Sequence, residues 1–207
     1  MAATKIDYRR ELRELYTAGP RAALIDVPAL SYAMIDGHGD PNAAAEYSEA
    51  VETLYAFSYA AKFAVKHRSG VDYGVMPLEG LWWVPDMSTF TTAGKSAWNW
   101  TMMIVQPAEV TAEIVDQALT KVAANKGADA AARLRVERFN EGLSAQVMHR
   151  GPYSSEGPTI AMLHDFIAGA GYELVGKHHE IYLSDPRRTA PERMKTILRQ
   201  PVGAGSA

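Results

Sequence analysis

Apolar and polar residues alternate along this chain with two different periods. In "AAAEYSEAVETLYAFSYAAKFAVKH" the positions Tyr47, Val51, Leu54, Tyr55, Phe57, Ala61 and Val65 recur at helical spacing. That predicts a long amphipathic helix closed by Gly70. "AEVTAEIVDQALTKVAANKG" predicts a second helix, begun after Pro107 and ended at Gly127. Elsewhere the period is two. "RAALIDVPALSYAMIDGHGDPN" reads as two short strands broken at Pro28, the second running into the turn Gly37-His38-Gly39-Asp40-Pro41. "VDYGVMPLEGLWWV" and "SAWNWTMMIVQP" predict a hairpin around the loop "PDMSTFTTAGK", with Trp98, Trp100, Met102 and Ile104 on one face of the return strand. "ARLRVERFNEG" predicts a strand with one wet face, carrying Leu134 and Val136.

The pattern then repeats. "LSAQVMHRGPYSSEGPTIAMLHDFIAGAGYELVGKHHEIYLSDP" gives strand, turn, helix, glycine and strand again, and "TAPERMKTILRQPV" adds a turn and a last strand. "MIDGHGDP" matches "MHRGPY", and a glycine, Gly70 or Gly171, follows each helix. Nine residues beyond each glycine stands a glutamate, Glu79 or Glu180. No low-complexity linker separates the copies. The expected architecture is one α+β domain over residues 1–207: a charged arm (1–20), a first module (about 21–106) and a second (about 107–202). Each module is strand–helix–strand–strand, and the two are related by a pseudo-two-fold that places Glu79 and Glu180 near its axis.

Composition narrows the chemistry. Net charge is −3, which gives no positive field to draw nucleic acid or anionic lipid. Cysteine is absent, excluding disulfides, thiolate metal sites and a cysteine nucleophile. The charged start "MAATKIDYRRELRELY" lacks a signal-peptide core, and no run of about 18 apolar residues exists to span a membrane. These features predict a cytoplasmic protein.

A glutamate in mid-strand is costly if it faces a core. Alternation puts Glu180 on one face with His178 and Tyr182, and Glu79 with Leu81 and Trp83, while a bulge at Gly80 would turn Trp82 toward the glutamate. Alternation leaves Trp82 and Trp83 both open. A carboxylate at the floor of an aromatic box suits a large planar ligand, above all a cation. Two carboxyls in one cavity also push their proton affinities apart, giving one acid and one base. The structural alternative is that each glutamate pairs with an arginine or lysine on a solvated face. His178-His179-Glu180 offers no third ligand, because neighbouring strand residues point oppositely, so no metal is expected. "GHGDP" is a turn rather than a phosphate loop, and no cofactor is implied. "DPRRTAPERMK" reads as solvated surface.

"IDVPALSYAMIDGHGDPN", "MPLEGLWW", "WNWTMMIVQP" and "HHEIYLSDPRRTAPERMKTILRQPV" together resemble the GyrI-like small-molecule-binding family, from about Lys5 to Val202. More narrowly they are similar to its stand-alone members, some of which are cyclopropanoid cyclopropyl hydrolases. The resemblance implies a duplicated module, an antiparallel sheet with helices on one face, and a central cleft whose glutamate and aromatics receive bulky, often cationic compounds. It implies the glutamate role for Glu180 and, through the repeat, Glu79, and an aromatic wall of Trp82, Trp100 and Tyr182. The expected function is detoxification by hydrolytic ring opening, with Glu79, Glu180 and Tyr182 catalytic and Trp82, Trp100 and His178 in contact with ligand. The alternative is a sequestering or sensing protein without chemistry. The resemblance to multidrug-responsive regulators stops short of a helix-turn-helix segment, so no direct DNA binding is expected. The polar loop from Pro85 to Gly94 is placed to act as a lid, and no protein partner is indicated.

Overall fold

The computed structural model describes residues 4–205, so residues 1–3 of the predicted arm lie outside the described residues. Strand β1 (Thr4–Ile6) and helix α1 (Tyr8–Glu11) form the arm. Strands β2 (Ala23–Val27) and β3 (Leu30–His38) lead into helix α2 (Ala45–Ser69). Then come β4 (Val71–Tyr73), β5 (Leu78–Trp83), β6 (Asn99–Val105) and α3 (Ala112–Lys126). The second half holds α4 (Ala128–Arg133), β7 (Arg135–Phe139), β8 (Gly142–Arg150), α5 (Gly157–Gly169), β9 (Tyr172–Leu174), β10 (His178–Tyr182) and β11 (Lys195–Ala204).

The long helix forms for the predicted reason. Leu54, Phe57, Ala61 and Val65 make a buried stripe, and burial of a large aliphatic or aromatic side chain contributes about 1.5–3 kcal/mol. Gly70, at φ 72°, ends the helix by donating its N–H to the Lys66 carbonyl, a left-handed conformation that favours glycine. Two expectations need correction. The strand-like run after Gly70 is two strands, since β4 pairs in parallel with β1 and leaves β5 to the main sheet. The run before β7 is helix α4, built on the alanines of "ADAAAR", whose high helix propensity gives no apolar period to read.

The main sheet is antiparallel and runs β2-β8-β11-β10-β5-β6-β3-β7, with β9 paired to β11. Reading outward from the β10–β5 contact gives β10, β11, β8, β2 on one side and β5, β6, β3, β7 on the other. The order is therefore symmetric about a pseudo-two-fold between β5 and β10. Each half places its first strand in the far half: β2 pairs with β8, and β7 with β3.

That exchange forces the sheet to curl. A flat sheet would separate β2 from β3 by six strand spacings, about 29 Å. The chain passes from Val27 to Leu30 with a reach of about 11 Å. The pairings Val27 with Gly142 and Leu30 with Phe139 belong to one register, so β2–β3 and β7–β8 are the limbs of a single bent ladder. Glu141, in the bend of β7–β8, reaches His179 in the middle of β10. The odd-numbered side of β5 and β10 is therefore the inside of the curl.

Helices α2 and α5 cover the outside. Tyr47 of α2 stacks on Trp82 and meets Trp100 edge-on. Leu163 and Ile167 of α5 pack on Ala145, Val147 and Leu198. Trp100 fits beneath α2 because residue 37 is glycine: a Cβ there would stand 2.1 Å from the indole ring. The family of elements is thus mixed α+β, with α2 and α5 on one face of a large antiparallel sheet.

Candidate functional site

Register decides which side chains meet. Across β10 and β5, His178 faces Trp82, Glu180 faces Gly80 and Tyr182 faces Leu78, while Ile181 faces Glu79. Directly opposed residues share a face, so Glu180 lies outside with Trp82 and Tyr182, and Glu79 lies inside with His179. The expected convergence of Glu79 and Glu180 is corrected: they occupy opposite faces of adjacent strands. A two-fold normal to the sheet relates residues on the same face, so the counterpart of Glu180 is Gly80, and matching the glutamates slips the repeat by one residue. No bulge intervenes at Gly80, whose pairing is continuous with its neighbours. Trp82 is the indole on the outer face. Trp83 points the other way, with the Lys177 ammonium 3.3 Å from its ring centre.

Glu79 belongs to a fully paired inner network. Its carboxylate accepts from the Tyr16 hydroxyl at 2.6 Å and from His179 Nε2 at 3.0 Å. His179 Nδ1 bonds Glu141 at 2.9 Å, and Arg199 bonds Glu141 at 3.1 Å. Arg199 also donates to the Leu15 carbonyl at 2.7 Å and to Gln146, whose amide donates to the Glu14 and Thr17 carbonyls. Both His179 nitrogens face carboxylates, so both donate and the ring is an imidazolium. Burial alone would lower its pKa, but Glu141 and Glu79 raise it to about 8. Two carboxylates and two cations balance. This cluster fastens the N-terminal arm into the curl.

The outer face is built differently. Glu180 is 7% exposed and His178 1% exposed; His178 Nε2 lies 3.6 Å from a Glu180 oxygen. The Trp82 indole N–H donates to the Tyr182 oxygen at 3.0 Å, which leaves the Tyr182 proton free to point at Glu180. Burial and then the Glu180 charge hold that phenol well above its usual pKa, so it stays protonated. Gly80 makes the meeting possible, because a Cβ there would crowd Trp82 Nε1 at 2.8 Å and Tyr182 Oη at 3.1 Å. Tyr153 packs edge-on against Tyr182, and Trp98 against Trp82. Phe90, from the loop joining β5 and β6, stacks on Trp98 and leans over His178.

A second carboxyl does enter this cluster, but it is Glu156, just ahead of α5. It is 5% exposed. Burial, followed by the Glu180 charge, pushes its pKa up to about 9 against the weaker pull of Thr196 and Lys95. It carries a proton at neutral pH. Sequence reasoning missed Glu156 because it sits in a turn without periodicity; the signal available was an acid before the helix-starting Gly157-Pro158. Among the described residues, several buried polar atoms without hydrogen-bond partners gather here: Glu156 Oε1, both His178 nitrogens, and the indole nitrogens of Trp98 and Trp100. Each such group costs about 1–3 kcal/mol until something bonds it. No group of three or more metal-ligating side chains occurs among the described residues.

Two surface grooves lie elsewhere. One of about 610 Å³ is lined by Phe63, His67, Arg68, Glu113 and Lys121. The other, about 270 Å³, lies beside Glu49, Lys126 and Arg133. Both are lined by solvated, charged side chains and lack the aromatic walls of the Glu180 cluster, so the chemistry points to the latter.

Residues 23–202 match the family described as the GyrI-like small molecule binding domain. An uncharacterized conserved protein from Listeria innocua is similar at 39% identity with a TM-score of 0.87, over 96% of this chain and all of the other. A hydrolase from Listeria innocua is similar at 39% identity and a TM-score of 0.82, again over 96% of this chain and all of the other. The EcmrR C-terminal domain shares the fold at 14% identity, with a TM-score of 0.55 over 89% of this chain and 98% of that one. No curated protein matches the chain. No helix among the described residues is long and apolar enough to cross a membrane.

Proposed function

The chain belongs to the GyrI-like small-molecule-binding family, and on that premise we propose that it receives a bulky aromatic compound at Glu180 and opens a strained ring in it with water. The observation that carries this reading is two buried carboxyls, Glu180 and Glu156, among aromatic rings, with Glu156 held toward its protonated form by burial and the Glu180 charge. A similar protein described as a hydrolase supports the chemical half. Trp82, Trp98, Tyr47 and Tyr182 supply flat faces for the ligand, and Phe90 holds the place a ligand ring would take. The loop at residues 85–94 then acts as a lid that lifts Phe90 away.

In the proposed reaction Glu180 takes a proton from water as the oxygen attacks a carbon of a cyclopropane conjugated to a carbonyl. The ring C–C bond breaks and its electron pair moves to the carbonyl oxygen. Glu156 gives that oxygen a proton, assisted by the Tyr182 hydroxyl. The substrate gains one water, and the two carboxyls together hold one proton before and after, so the site's charge is unchanged by turnover.

The test is to mix the protein with a cyclopropane-bearing alkylator and follow the gain of one water by mass spectrometry. Glu180→Gln should cut turnover about 10²–10⁴-fold while leaving binding, read by tryptophan fluorescence, nearly intact. Undiminished turnover in that variant would remove the hydrolytic assignment. Saturable binding without product would assign the chain to sequestration or sensing.

A further inference from the structure

The side of α2 opposite its buried stripe carries a row of aromatics. Tyr55, Tyr59 and Phe63 follow one another at helical spacing, and neighbouring rings stack with their centres 6.5 Å apart. Tyr59 is 47% exposed and Phe63 56% exposed. Scattered exposed apolar residues are ordinary, but three aromatics in line make a continuous ridge that water opposes. The groove of about 610 Å³ lies beside it, lined by Phe63 and His67 of α2 and Lys121 of α3.

The charges along α2 are segregated about this ridge. Its acids, Glu46, Glu49 and Glu52, all precede Tyr55, and its bases, Lys62, Lys66, His67 and Arg68, all follow Tyr59. The helix dipole accounts for charges in the end turns only, whereas Glu52 and Lys62 stand about two turns inside the ends. Glu52 and Lys66 are each seven residues from Tyr59, and Tyr55 and Phe63 are each four. Seven residues make about two turns, so both charges lie on the aromatic ridge. Glu52 is held by Lys126 at 2.6 Å and Lys66 by Asp72 at 2.7 Å. These are surface ion pairs, which exchange partners at little cost. Lys62, 3.4 Å from the same Asp72, answers that aspartate when Lys66 turns away.

We propose that this ridge is the contact surface for a second copy of the chain, packed antiparallel about a two-fold axis at Tyr59. That arrangement sets Tyr59 against its own counterpart, Tyr55 against the partner's Phe63, and Glu52 against the partner's Lys66. The acidic half of each helix then lies along the basic half of the other. A parallel pairing would set acid on acid and base on base, so charge selects the antiparallel one. A partner of one charge sign, such as nucleic acid, would meet the wrong sign over half of the ridge. One helix pair buries less than a standard interface, so the dimer should be weak, with a Kd on the order of 10–100 μM.

The experiment is sedimentation velocity of the whole chain from about 5 to about 500 μM, at low and high salt. Wild type should pass from monomer to dimer across that range, and high salt should weaken association about threefold or more. Glu52→Lys and Lys66→Glu should each weaken it about tenfold or more by setting like charges together, and the double variant should restore it. The chain has no cysteine, so Tyr59→Cys places a single thiol on the axis. Under mild oxidation that variant should form disulfide-linked dimer faster than Asp165→Cys, whose thiol would stand at an exposed position of α5. A monomer at every concentration, a dimer indifferent to both charge reversals, or a double variant as weak as the single ones would overturn the proposal. So would cross-linking at position 59 that is no faster than at position 165.

Discussion

The two faces of strand β10 carry adjacent residues with opposite fates. On the inside, His179 has a carboxylate on each nitrogen, and those carboxylates are completed by Tyr16 and Arg199. On the outside, one residue away, His178 has no hydrogen-bond partner on either nitrogen, its Nε2 standing 3.6 Å from a Glu180 oxygen, and Glu156 has an oxygen without a hydrogen bond. Burial is equal and chemistry is similar; what differs is satisfaction. A satisfied buried network fixes structure, whereas an unsatisfied one stores free energy that a ligand can release.

That contrast can be broken from the inside. Arg199→Met leaves Glu141 without its guanidinium and frees the Leu15 carbonyl, and removing one member of a buried ion network costs about 3–5 kcal/mol. Urea unfolding should show the loss, and hydrogen exchange should show residues 14–17 opening. A change below about 1 kcal/mol would mean that the inner network is not what holds the arm.

A gentler probe is pH. His179 has a folded pKa of about 8, above the usual 6.5. Its stabilisation is therefore complete below about 6.5 and is lost as pH rises through about 8, a term of about 2 kcal/mol. Thermal unfolding in wild type should weaken across that window, and a His179→Gln variant should lose the dependence there.

The outer face should also weaken as pH rises, over a wider window, but should respond to mutation with the opposite sign. Glu156 has a folded pKa of about 9, above its usual 4.5, so the acid favours the fold at low pH and opposes it progressively as pH rises from about 4.5 to 9. Glu156→Gln removes the ionisable group and should stabilise the protein by about 1 kcal/mol at neutral pH, and by less near pH 5. A destabilised variant would place Glu156 among the structural residues and erase the difference between the faces.

Much of this arrangement was legible in the alternation. His178, Glu180 and Tyr182 share a face by alternation alone, whereas choosing Trp82 over Trp83, and bringing Trp82 and Trp100 onto that face, took the registers of β5 with β10 and β6. The family resemblance and the doubled strand–helix–strand–strand order were also readable. Glu79 misled because the copies align by turn chemistry, which tolerates a slip of one residue that strand faces do not. Glu156 was hidden because a turn has no period. Arg199 lay in a run that fixed the resemblance, but nothing local showed that its partners would come from residues 14–17 and 141, which are remote in sequence.

The bent ladder carries one more implication. A half taken alone would have nowhere to lay its opening strand, whereas two identical halves could each shelter the other's. The architecture is that of a homodimer fused into one polypeptide, and fusion frees the two copies to differ. At the pseudo-two-fold, where exact symmetry would set identical side chains face to face, Gly80 stands opposite Glu180, and its missing side chain leaves the space in which Trp82 and Tyr182 meet.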